Sequence, residues 1–135
     1  MKNLNYVILS SFILLFHSLN LKAQSRFDVW PELKAFHTVM SQTFHPSEEG
    51  NLEPIKTRSA EMVSKADVLA TSKLPKEFNK KEVKDAVLKI AIDSKKLHEL
   101  IQQKASDKMI SNALEDLHNT FHLIVEKCSK KEEHH

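Results

Sequence analysis

Eight histidines, four methionines and a single cysteine are the side chains of this 135-residue chain best suited to holding a metal ion. His118 and His122 stand four residues apart. On a helix that spacing puts both imidazoles on one face, where they can converge on one ion. His37 lies about 40° from Leu33 and about 60° from Met40 at 100° per residue, so it is expected to point toward an apolar interior. There an imidazole needs a hydrogen-bond partner or a ligand, and a hydrogen-bonded core histidine is the plainer of the two readings. His98 and Met62 complete a candidate set. Imidazole with thioether suits copper, and imidazole with carboxylate suits zinc. Met40 and Met62 also have a plainer role as core fillers.

A second, more exposed candidate is the segment His45-Pro46-Ser47-Glu48-Glu49-Gly50-Asn51, which sets His45 beside Glu48 and Glu49. It is expected to be a loop at the bundle rim, either solvated or holding a divalent ion. Cys128, with His134 and His135 beyond it, could also catch a metal, or act as a half-buried small hydrophobe or an intermolecular thiol. As the only cysteine it forms no internal disulfide.

The elements that must position these groups are helical. One glycine and four prolines in the whole chain argue against a turn-rich sheet protein, and Lys, Glu, Leu and Ala favour helix. The spacing predicts four helices. The first runs from Pro31 to Phe44 and stops at His45-Pro46, because a residue before proline is pushed out of helical geometry. The second runs from Leu52 to Ser72 behind Asn51 as a cap. The third runs from Asn79 to about Ala105 with an Asn79-x-x-Glu82 capping box. The fourth runs from Ser106 or Asp107 to Lys127–Lys131. No Gly or Pro marks the joint between the last two, so one long helix is the alternative there.

Each segment carries an apolar stripe. These are Leu33, Phe36, Met40 and Phe44; then Ile55, Met62, Ala66 and Leu69. The third helix has Val83, Val87, Ile90, Leu97 and Ile101, interrupted by Ser94, and the fourth has Ile110, Leu114, Leu117, Phe121, Ile124 and Cys128. Short connections make this an all-α, up-down-up-down four-helix bundle over residues 24–128, followed by a polar tail over 129–135. Counting inward at about 1.5 Å per residue, His37 comes level with residues 114–116, which places His37, Met40, Met62, His98 and His118 in one layer.

Residues 1–23 read as a cleaved export signal. Lys2 gives a positive start, Tyr6 to Phe16 an apolar stretch, and Leu21-Lys22-Ala23 a small residue before Gln24. The mature protein is thus expected in the periplasm or outside the cell, with no stable membrane insertion. Losing Lys2 and Lys22 leaves 18 basic against 18 acidic residues, a formal charge of zero. Nothing in that balance draws the chain to nucleic acid.

As an exported four-helix bundle with a methionine on the first helix and a histidine late on the fourth, the chain resembles the cytochrome b562 and cytochrome c′ type. The resemblance implies non-covalent haem b held by Met40 and by His122, the latter within Asn119-Thr120-Phe121-His122. Covalent attachment is excluded, since Cys-x-x-Cys-His is absent. The expected function is binding of a transition metal, copper or zinc, through bundle histidines for storage, delivery or sensing, with metal-trafficking proteins as partners. The alternatives are a haem b electron carrier and a cofactor-free interaction module. No phosphate loop, nucleophile elbow or His-Glu-x-x-His asks for an enzyme.

Overall fold

The computed structural model describes residues 27–129, so the expected export signal, the cleavage point before Gln24 and the tail beyond Ser129 lie outside the described residues. Four helices follow one another: α1 (Pro31–Glu48), α2 (Glu53–Thr71), α3 (Lys81–Gln102) and α4 (Asp107–Ser129), with a 3-10 turn at Lys76–Phe78 between α2 and α3. There is no strand among the described residues, and no described helix is long and apolar enough to cross a membrane. Each helix packs on its neighbours in sequence, and α4 returns beside α1 to close an up-down-up-down bundle. That closing seam is the widest of the four.

The apolar stripes meet in one core. Phe36, Met40, Ile55, Met62, Leu69, Ile90, Leu97, Leu114, Leu117 and Ile124 have no accessible surface left. Phe44 and Ile101 are only half-buried at the edge of this core, and the side chain of Cys128 lies outside the described residues. Trp30, Val39, Leu52 and Phe78 join the core beyond the four stripes. Trp30 closes one end of the bundle: its ring meets the edge of Phe78 at 5.1 Å, and its Nε1–H donates to Ser72 Oγ at 3.0 Å. Ser94 interrupts the α3 stripe as expected, and its buried hydroxyl has no hydrogen-bond partner among the described residues.

Three boundaries differ from the sequence expectation. α1 does not stop at His45 but runs through Pro46 to Glu48. The stop is set further on, at Gly50, whose φ of 82° lets the chain turn away. The Gly50 N–H then donates to the Ser47 carbonyl and the Asn51 N–H to the Pro46 carbonyl, which satisfies the helix end as a Schellman turn. Proline forfeits one bond in the last turn, and this closure offsets it. The Asn79-x-x-Glu82 box is also absent. Asn79 instead ends the 3-10 turn, donating its N–H to the Lys76 carbonyl, and α3 starts two residues later with no side-chain cap.

The α3–α4 joint is a real break rather than one long helix. Lys104 takes a positive φ of 54°, and the bonds from Lys104 N–H to the Ile101 carbonyl and from Ala105 N–H to the Leu100 carbonyl repeat the Schellman pattern. α3 therefore ends at Gln102, three residues before the expected Ala105. The Ser106 hydroxyl accepts from the Met109 N–H and opens α4, as the sequence indicates.

A histidine-lined groove as the candidate functional site

The edge of α1 that faces α4 carries His37, Ser41, Phe44 and Glu48, at helical steps of four, three and four. The opposing edge of α4 carries Ser111, Glu115, His118 and His122 with the same kind of spacing. The helices run in opposite directions, so Phe44 meets His118 and His37 meets Phe121. Rings occupy these edge positions where the two backbones make few close approaches.

The contacts are mostly face to face. His118 lies on the Phe44 ring with centroids 3.7 Å apart and planes 12° from parallel. His37 is sandwiched between Phe27 at 4.9 Å and Phe121 at 5.1 Å, both also at 12°. Phe121 reaches inward to Phe36, which ties the stack to the core. His122 stands edge-on to His118, and their Nε2 atoms are 3.1 Å apart. That distance is a hydrogen bond, with one Nε2 donating and the other accepting according to the tautomers. At the far end of the groove, Phe44, Ser47, Glu48, Ser111 and Glu115 line an open cleft of about 400 Å³.

Two histidines here are held below the ordinary imidazole range. For His37 burial is the main cause, followed by the repulsive fields of His45 and then His122. For His118 burial again leads and His122 adds to it; Glu48 opposes them, and His45 and His37 contribute last. Both rings are therefore held toward the neutral form.

Among the described residues, the histidines of the expected layer do not converge on one point. His37 is level with Phe121, not with residues 114–116, because α1 continues one turn past Phe44 and the level count began too early. Met40 and Met62 are fully buried in the core. His98 sits on another seam, where its Nδ1 is 2.9 Å from the hydroxyl of Ser59 and ties α3 to α2. His118 and His122 are brought together as the i, i+4 spacing indicates, with His118 half-buried and His122 exposed. Among the described residues, no group of three or more His, Cys, Asp or Glu side chains converges to hold an ion.

The rim segment keeps one of its expected contacts. His45 Nδ1 is 3.1 Å from Glu48 Oε2 on the exposed last turn of α1, while Glu49 is the exposed C-cap residue. The segment is thus helical at His45 and Glu48, not a loop. Met40 and His122 point opposite ways in this packing, one into the core and the other to solvent.

Reasoning along the core stripes missed Phe27, Ser111 and Glu115, as well as the supporting roles of Phe44 and Phe121. The signal was present in the edge stripes. Scanning α4 for polar residues at Ser111, Glu115, His118 and His122 finds the groove without coordinates.

No protein-family model matches this chain, and no curated protein or solved structure is detectably similar to it.

Proposed function

We propose that this chain is an extracytoplasmic four-helix bundle that binds a transition metal, copper or zinc, through His118 and His122 at the groove between α1 and α4. The observation that carries the reading is the 3.1 Å separation of the two Nε2 atoms. Two nitrogens each about 2.0–2.1 Å from a tetrahedral ion lie roughly 3.3 Å apart, so the pair already has close to the required separation, and each ring needs only to turn its lone pair off the line between them toward the ion. The Phe44 ring behind His118 fixes its plane. Burial of His118 lowers proton competition, which favours the neutral imidazole that a metal requires. The role is storage, delivery or sensing of the ion. The export signal read in residues 1–23 supplies the extracytoplasmic setting.

Thermal unfolding with and without zinc or copper tests this. At a free ion concentration near 100 times Kd the folded state gains about 2.7 kcal/mol. His118→Ala and His122→Ala should each remove most of that gain. His37→Ala should lower stability equally with and without the ion, since its ring is a spacer between two phenylalanines. Replacing His134 and His135 by alanine should change little. A wild-type midpoint that neither ion moves rules the site out.

A further inference from the structure

Resting on that metal reading, we infer that the His118–His122 pair is half of a shared site, and that a second copy of this chain supplies the other half. One ion then joins two α4 helices about a twofold axis. Each protomer presents the same patch, as an isologous contact requires.

The ligand count leads to this. The pair offers two nitrogens, and no third His, Cys, Asp or Glu among the described residues converges with them. A closed zinc site is tetrahedral with four ligands. Of the nearby carboxylates, Glu48 pairs with His45, and Glu115 lines the cleft with Ser111. Two further imidazoles from an identical patch complete the tetrahedron.

The surface permits the approach. His122 is exposed, and so are Asn119, Leu123 and Glu126 around it, with Leu123 at 51%. His118 is backed by Phe44, so the pair is already oriented outward before an ion arrives. From residue 24 onward the formal charge is zero, so two copies meet without net repulsion. The ion, rather than buried area, supplies most of the association energy, and the dimer should therefore depend on metal.

Calorimetric titration of the purified, untagged chain with zinc sulfate, paired with sedimentation equilibrium, decides the matter. The expected result is a breakpoint at one ion per two chains and a doubled mass that EDTA reverses. His122→Ala should stay monomeric with zinc while keeping its helical circular dichroism. The variant with His134 and His135 both replaced by alanine should still dimerise. A breakpoint at one ion per chain on a monomer overturns the sharing but leaves the metal reading standing. Dimerisation lost with the tail histidines overturns it too. No zinc binding at all overturns both.

Discussion

The seam between α1 and α4 and the seam between α3 and α4 are built on the same kind of apolar stripe yet end up different. Beside α3, α4 presents small Ala113 at its edge, which with the charged Lys89, Asp93 and Asp116 lines a shallow cleft of about 330 Å³. The two backbones come close there. Beside α1, α4 presents His118 and Phe121, and α1 answers with Phe44 and His37. The stripe decides that a helix packs; the edge residues decide how closely. Both seams carry a surface cleft, and where the edges are rings the seam also holds stacked imidazoles that can do chemistry.

The sharpest way to break this comparison is to remove the ring that belongs to both the core and the groove. Phe121 is 3% exposed and touches Phe36 and His37. Phe121→Ala should cost about 3–5 kcal/mol in denaturant unfolding, because the cavity opens beneath the His37 stack. Leu117→Ala, in the shared core, should cost about 2–5 kcal/mol. A loss under about 1 kcal/mol at both sites means that α4 does not pack as described.

The turn entering the close seam carries the opposite expectation. Lys104 holds a left-handed conformation that costs a residue with a Cβ about 1–2 kcal/mol, while Gly50 fills the equivalent place before α2 without that cost. Lys104→Gly should raise stability by about 1 kcal/mol, a little offset by the greater freedom of glycine in the unfolded chain. Unchanged or lower stability removes the strain at this turn.

The smallest effect separates the seams by pH. His37 has a lowered pKa in the fold, so the unfolded chain binds its proton more readily. Stability from this group is complete above the ordinary imidazole range near 6.5 and falls as pH drops through it toward the folded value. His37→Phe keeps a ring in the stack and cannot titrate. The melting temperature of that variant should therefore depend less on pH between about 7 and 5 than the wild type's. An identical dependence places the titration elsewhere.

Much of this was legible before any coordinates. Helix content followed from composition, the core from residues at three- and four-residue steps, and the His118–His122 pair from spacing within one helix. These are local properties: one turn of helix fixes which side chains share a face, whatever surrounds it. Proline rules misplaced the end of α1, since a proline in the last turn forfeits a single bond while Gly50 sets the stop. That one-turn difference shifts the level at which His37 meets α4, where it stacks on Phe121.

Tertiary structure alone decided the rest. Which histidines meet depends on the relative height of helices, and that depends on where each turn closes. His98 went to Ser59 across α2–α3 because the face it occupies looks that way once the bundle closes. The lowered pKa values of His37 and His118 arise from burial by rings on other segments, at distances no single-helix count supplies. Periodicity fixes the direction of a side chain about its own axis; its neighbours are set by packing that sums over the whole chain.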